Sequence, residues 1–230
     1  MTALILIAAV LLLPQEKNEA EELFKKMEEK VAKAKSIQLS CSGTAKMSQG
    51  DMSLSADLLV ETGNKVRLTC ELKGPGETHK ELFVSDGKAM KLLEGERVQS
   101  EKTPKALNAD LILGLTRGGG LFTAGWVQAV TLKDERHANR SKVPTCSGFK
   151  MGRKEKIGER GAQSIEFTIK GMEAGDVACV LWIDTETHLP LKREIRGFHG
   201  EEEGTFVETY SDFKLDEKID PAKFELPKEK

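Results

Sequence analysis

The sequence predicts a mainly β protein with some α-helix: a strongly curved antiparallel sheet covered by an N-terminal helix and a mid-chain helical insertion. Three observations support this fold class. Apolar and polar residues alternate with a period of two in many short segments. Turns rich in Gly and Asp separate those segments. Helical periodicity is confined to the region near the N-terminus and to the middle of the chain.

The composition argues against nucleic acid as a partner. The chain carries 35 Lys and Arg against 37 Asp and Glu, a formal net charge of −2, so it lacks an overall positive field that would attract a polyanion. Aromatic residues make up only 5% of the chain. Aliphatic side chains must therefore fill the core and line any cavity.

The run Met1–Leu13 is apolar throughout. It has the length of a signal-peptide hydrophobic region and is too short to cross about 30 Å of hydrocarbon as a helix. We therefore expect residues 1–19 to be a signal peptide or an N-terminal anchor, and residues 20–230 to form one domain of ordinary size for a barrel or sandwich. The protein is then periplasmic or otherwise exported, with membrane association through residues 1–13 as the alternative.

The first element after this leader is an amphipathic helix over residues 19–35, where apolar side chains recur every three or four positions. Period-two alternation then predicts an antiparallel meander, with tight turns at Gly50, Gly63 and Asp86-Gly87. Its strands cover residues 37–47, 52–60, 66–72, 82–85 and 89–93.

A helical insertion is predicted over residues 103–130. Thr103 followed by Pro104 suits a helix N-cap and first turn, and the triple glycine at 118–120 ends this helix. A second short helix is expected after the glycines. Because glycine has the fewest backbone restrictions, these three residues would form a hinge and the insertion a movable flap.

The second half of the chain predicts five more strands, over residues 149–156, 162–170, 177–184, 189–196 and 205–213. The run 177–183 is apolar on both sides. It should therefore be a central strand, facing the concave interior on one side and a helix on the other.

Two parts of the chain resemble the outer-membrane lipoprotein carrier (LolA-like) family and the related periplasmic lipoprotein-sorting and sensor domains. One is the region 60–88, with a Val-Ser-Asp-Gly-Lys turn at 84–88, and the other is the closing segment Ile219–Pro227. The resemblance implies a half-open barrel that holds acyl chains against its sheet without a cofactor. At Glu61–Asn64, where those carriers have a basic residue and a proline, this chain has neither. The arginine associated with cargo release in that family therefore has no counterpart here.

We expect the chain to be a non-enzymatic, monomeric binding protein that holds lipid or lipoprotein acyl chains between the sheet and the helices. Burial of apolar surface stabilises such a complex by about 25 cal/mol per Å² without any specific hydrogen bond. The alternative is an envelope sensor or scaffold that binds a protein partner, in which case the same residues are ordinary core. The expected ligand contacts are Leu39, Leu54, Leu58, Val66, Leu68, Leu72, Leu111, Leu115, Phe122 and Trp126.

The sequence has no constellation that predicts catalysis or a metal site. The four histidines, at positions 79, 137, 188 and 199, have no metal-binding spacing, and no G-x-S-x-G nucleophile motif occurs. We expect no enzymatic activity, no metal and no cofactor.

The four cysteines, Cys41, Cys70, Cys146 and Cys179, are an even number in a chain expected to be exported, where disulfides persist. Cys41 and Cys70 also alternate with apolar neighbours, as small buried hydrophobic residues do. Both interpretations remain open, whereas the absence of closely spaced cysteine pairs argues against a zinc site.

Overall fold

The computed structural model of the protein describes residues 17–46, 50–121, 144–172, 175–199 and 202–228. Its main feature is an 11-stranded antiparallel sheet with the order β6-β5-β4-β3-β2-β1-β11-β10-β9-β8-β7. The strands are β1 (Ser36–Lys46), β2 (Met52–Glu61), β3 (Lys65–Gly74), β4 (Glu77–Asp86), β5 (Ala89–Glu94), β6 (Arg97–Lys102), β7 (Thr145–Ile157), β8 (Arg160–Met172), β9 (Gly175–Asp184), β10 (Pro190–His199) and β11 (Glu202–Leu215).

The sheet consists of two meanders, β1 to β6 and β7 to β11, which the pairing of β1 with β11 joins edge to edge. Strands β6 and β7 end the order, so the sheet stays open. Register shifts interrupt the pairing in the second meander and between β1 and β11, and such bulges bend and twist strands. The predicted fold class, an open antiparallel barrel with an N-terminal and a mid-chain helix, is confirmed.

The N-terminal helix α1 spans Glu19–Lys33. The side-chain oxygen of Asn18 caps it by accepting hydrogen bonds from the backbone N–H groups of Ala20 and Glu21, at 3.1 and 3.2 Å. Phe24 packs on the rings of Phe149 and Phe167, with both centroid distances 5.1 Å, and this contact places α1 over β7 and β8.

The mid-chain helix α2 spans Leu107–Thr116 and differs at its start from the sequence prediction. Ala106 occupies the N-cap position and makes no side-chain hydrogen bond there. The hydroxyl of Thr103, the predicted cap, lies 2.9 Å from that of Ser85, and both residues are buried. The Thr103 hydroxyl therefore forms a hydrogen bond with Ser85 of β4 instead of capping the helix. The second predicted helix lies outside the described residues.

Strand β6 was not predicted. Its sequence, Arg97–Lys102, is mostly charged and polar and lacks alternation, because an edge strand with exposed side chains needs no dry face. Its pairing partner β5 and the end of the sheet order, rather than its own pattern, define it as a strand.

The outer face of β9 carries Trp182. The Lys192 ammonium group lies 4.4 Å from the centre of its ring, and the indole N–H donates to Glu155 at 2.5 Å. Trp182 also packs with Ala162 and Leu191 in a small separate apolar cluster. In the described part of the chain, side chains of neighbouring strands thus cover Trp182, while Ala178 on the same face is exposed. The sequence had predicted that a helix covers this face.

The closing segment lies across the outer face of the first meander. Asp220 caps a 3-10 helix, Pro221–Phe224, by accepting from the N–H of Ala222 at 3.0 Å, and Phe224 is buried. Lys91 in β5 donates to the carbonyl oxygen of Pro227 at 2.9 Å. None of the described helices is long and apolar enough to cross a membrane.

Candidate functional site

The inner face of the sheet brings the predicted ligand contacts together. Alternation along β1, β2 and β3 directs one set of side chains to this face, where α2 adds leucines from the other side. They belong to one continuous cluster of buried apolar residues. Its members include Leu39, Leu54, Leu58, Val66, Leu68, Leu111 and Leu115, with exposed fractions of 0–6%, and the half-buried Leu72 packs against it. Phe122 and Trp126 lie outside the described residues.

This packing means that α2 lies on the aliphatic surface predicted to hold a ligand. Leu107, Leu111 and Leu115, which recur every four residues along the helix, are each at most 3% exposed. An acyl chain could reach the inner face of the first meander only if α2 moved. The structure brings these residues together as core, and their predicted role as ligand contacts stays a prediction.

A buried arginine that the sequence analysis did not single out lies at the C-terminal end of α2. Arg193, in β10, is 1% exposed. Its Nη2 donates to the carbonyl oxygens of Leu115, at 2.7 Å, and Thr116, at 3.1 Å. Carbonyls in the last turn of a helix lack partners within the helix, and a cation there also interacts favourably with the helix dipole. Arg193 therefore attaches the end of α2 to the sheet.

The other donors of the same guanidinium group have no such role. Nε and Nη1 of Arg193 are buried and make no hydrogen bond to any described residue. A buried donor without a partner costs about 1–3 kcal/mol. Such a group is rare in a folded protein, and an ordered water, an ion or a bound ligand would supply the acceptor.

Acidic and hydroxyl groups from β11 surround Arg193. Glu208 pairs with Arg193 across the ladder and is 1% exposed. The hydroxyl of Tyr210, which is also buried, donates to Glu208 Oε2. Gly120 covers this pair from the α2 side: a Cβ atom there would lie 2.1 Å from Glu208 Oε2, and its φ of +86° also favours glycine. Glycine is therefore needed at position 120 because the backbone lies close to the side chain of Glu208. The role of the three glycines as a hinge stays a prediction.

The electrostatics of this cluster follow from its burial. Burial, reinforced by Glu208, raises the pKa of Tyr210 well above its ordinary value, although Arg193 opposes the shift. Burial acts to lower the pKa of Arg193, but neighbouring acidic groups, Glu208 among them, hold it above the ordinary value. Burial also raises the pKa of Cys179 to about 12. At neutral pH the guanidinium group of Arg193 is therefore charged, and the Tyr210 hydroxyl and the Cys179 thiol are neutral.

A signal for this site exists in the sequence. Arg193 is two residues from the core residue Ile195, so both side chains point to the buried face of the strand. The neighbouring residues Lys192 and Glu194 point to the opposite, solvent-facing side. A charged residue on a dry face is the informative observation, because buried charges are nearly always paired or functional.

All four cysteines are free thiols. Cys41 and Cys70 both pair with Ala56, from opposite sides of β2. Because neighbouring strands lie about 4.8 Å apart, their Cα atoms are roughly 9–10 Å apart, beyond the reach of a disulfide. Strand β8 separates Cys146 from Cys179 in the same way. Within the described ranges, no cluster of His, Cys, Asp and Glu could hold a metal ion.

A groove of about 440 Å³ lies on the opposite, outer face, between the first strands and the closing segment. Its volume suits a small ligand. The groove is open, and each wall carries both charges: Asp57 and Arg67 come from the sheet, and Lys218 and Asp220 from the closing segment. A second cavity, of about 550 Å³, lies beside His79 at the β4–β5 edge. Neither is lined by the predicted ligand contacts.

Scans of protein-family profiles and of curated protein sequences found no match. Solved structures do match. LprF from Mycobacterium bovis has 15% sequence identity and a TM-score of 0.52, covering 88% of this chain and 95% of that one. Lipoprotein LppX from Mycobacterium tuberculosis has 13% identity and a TM-score of 0.48, covering 87% and 98%. A LolA superfamily protein from Nitrosomonas europaea has 15% identity and a TM-score of 0.35, covering 90% and 97%.

The likeness to LprF concerns the fold. At this identity it shows that the two proteins share a fold over most of their length. The predicted resemblance is thus confirmed only as far as the fold. Function has to be argued from the residues of the inner face.

Proposed function

We propose that this chain is an exported, non-enzymatic binding protein that shelters acyl chains of a lipid or lipoprotein on the inner face of its sheet. The observation that carries the proposal is that a separate helix, α2, covers an almost wholly aliphatic concave surface. The fold shared with LprF supports it, since that fold places a curved sheet under helices.

The mode of attachment of α2 supports its displacement by a ligand. Polar contacts tie the helix down near its two ends: Asn108 donates to Glu61 O at 2.7 Å, and Arg193 and Glu28 hold the other end. Between these points the buried leucines of α2, with the partly buried Ile112, belong to the same apolar cluster as the inner face of the sheet. An acyl chain presents the same aliphatic surface. Its methylene groups can therefore take the place of the leucine side chains of α2.

Such an exchange requires more than one acyl chain. A chain of about sixteen carbons gains roughly 13 kcal/mol, at about 0.8 kcal/mol per buried methylene, whereas exposing three leucines costs about 5–9 kcal/mol and association costs about 4–15 kcal/mol. The buried leucines of α2 exposed by the exchange would need cover, which a second acyl chain or the headgroup region of the lipid would supply. The site therefore suits a ligand with two chains better than one with a single chain.

The test is uptake of a photoreactive fatty acid by the purified full-length protein. After irradiation, cross-linked peptides should come from the inner faces of β1–β3 and from α2, and an excess of unlabelled lipid should suppress them. Lipid that co-purifies with the protein and is found by mass spectrometry would agree with this. Cross-links confined to the outer groove, or no uptake at all, would overturn the proposal and favour the sensor or scaffold alternative.

A further inference from the structure

We propose that Arg193 recognises the ester carbonyl groups by which acyl chains are joined to glycerol, so that the ligand is an acylglycerol or a diacylglyceryl-modified lipoprotein. This inference rests on the proposed acyl-chain binding. To that proposal it adds the residue that recognises the ligand and the chemical class of the ligand.

The first argument is what Arg193 binds when α2 is in place. Its Nη2 donates to two carbonyl oxygens, those of Leu115 and Thr116. A backbone carbonyl and an ester carbonyl are both neutral sp² oxygen acceptors. The end of α2 therefore occupies the position relative to Arg193 that an ester group would take after the helix has moved.

The second argument is the unused capacity of the guanidinium group. Among the described residues Nε and Nη1 have no hydrogen-bond partner, and the planar fork of an arginine can donate to two acceptors at once. The two ester carbonyls of a diacylglycerol would replace the two helix carbonyls, and the other oxygens of its glycerol group would bring acceptors to Nε and Nη1. The gain partly offsets the loss of the helix contacts.

The third argument separates neutral from anionic head groups. Glu208 faces Arg193 across the ladder and balances its charge, while Tyr210 and the nearby thiols of Cys41, Cys146 and Cys179 are protonated at neutral pH. A carboxylate or phosphate placed here would add an excess negative charge in a setting of low dielectric. A carbonyl oxygen adds none, and the cluster therefore suits an ester better than a free fatty acid.

The experiment measures the displacement of a fluorescent hydrocarbon probe from the full-length protein by four lipids. These are a dioleoylglycerol, its dialkyl ether analogue without carbonyls, oleic acid and a synthetic diacylated lipopeptide. Because a hydrogen bond to a charged group is strong, the ester should bind roughly tenfold or more tightly than the ether. The lipopeptide arm distinguishes a free acylglycerol from a lipoprotein as the source of the esters.

The variant for the test is Arg193→Lys, which keeps the charge and a donor for α2 but loses the fork. It should reduce the preference for ester over ether to about threefold or less, since one donor replaces several. The matched control is Arg196→Lys, an exposed position in the same strand whose arginine pairs with Glu194. It should keep the wild-type preference.

The outcomes are distinguishable. Equal binding of ester and ether lipids by the wild type would overturn the role of Arg193 and leave acyl-chain binding intact. Failure of the probe and of all four lipids to bind would overturn acyl-chain binding and, with it, this inference. The wild-type comparison decides between these outcomes even if Arg193→Lys does not fold.

Discussion

Arg117 and Glu28 form a two-pronged ion pair that joins the end of α2 to the middle of α1: Nη2 donates to Oε2 at 2.7 Å, and Nε donates to Oε1. The side chain of Glu28 is 15% exposed and that of Arg117 34%. The hydrogen bonds to Glu28 raise the pKa of Arg117. The pair connects two helices that make few other contacts, and it sits beside the carbonyls that Arg193 holds.

The first prediction concerns this pair. Glu28→Gln should lower the free energy of unfolding by about 1 kcal/mol, since the pair is only partly buried. It should also speed the uptake of a fluorescent fatty acid, because α2 loses a fastening to α1. The control is Glu29→Gln, which removes an exposed i,i+4 pair with Lys33 and should change neither quantity measurably. Slower uptake in the Glu28 variant would show that α2 need not move.

The second prediction separates backbone strain from steric exclusion at the end of α2. Gly120 and Gly76 have φ values of +86° and +82°, but a Cβ atom at Gly76 would meet nothing within 4 Å, whereas at Gly120 it would collide with Glu208. Gly76→Ala should cost about 1 kcal/mol through strain alone. Gly120→Ala should cost about 3 kcal/mol or more in urea denaturation, because the collision is added. Equal losses would show that the chain at Gly120 shifts freely.

The third prediction concerns acid stability through Asp184, which organises the turn between β9 and β10. Its Oδ1 accepts from the N–H groups of Glu186 and Thr187, at 2.9 and 2.6 Å, and its Oδ2 from Arg160 at 2.7 Å. Burial alone would raise the pKa of Asp184, but these hydrogen bonds and Arg160 outweigh it and lower the pKa.

A carboxyl group whose pKa is lower in the folded than in the unfolded state adds stability above its unfolded value, about 3.9, and loses it as the pH falls through the folded value. Asp184→Asn should therefore destabilise the protein at pH 7 by about 2 kcal/mol and flatten the decline in stability below pH 4. Asp176→Asn, at an exposed position of the same strand, is the control and should leave the curve unchanged. A parallel shift of the curve at all pH values in the Asp184 variant would contradict the assignment.

The fourth prediction is that the four cysteines stay reduced and react slowly while the protein is folded. Burial raises the pKa of Cys70 and of Cys146 to about 11, so little thiolate is present at pH 8. Intact-mass measurements should show slow alkylation in buffer and four alkylated sites in denaturant without added reductant. Fewer than four sites under the second condition would reveal a disulfide and contradict the strand register.

Much of the fold could be predicted because a strand with one buried and one exposed face alternates apolar and polar residues in its own sequence. Leu54, Leu58, Val66 and Leu68 alternate with polar residues because one face of β2 and β3 is dry, and this local pattern survives without knowledge of the neighbours. Strand β6 lacks this alternation, since neither of its faces is buried along most of its length. The Thr103 cap was wrong because its hydroxyl is used by Ser85, a residue distant in sequence.

The periodicities in the sequence predicted the antiparallel strands, the two covering helices and the aliphatic inner face. Tertiary structure alone decided that the leucines of α2 pack into that face and that Arg193 comes to the end of α2 with Glu208 beside it. The reason is physical: alternation depends on a residue and its nearest neighbours, whereas the partners of a buried charge lie tens of residues away along the chain. The pairing of β10 with β11 places Glu208 opposite Arg193, and the hydrogen bonds from Arg193 to Leu115 and Thr116 hold the end of α2 beside them.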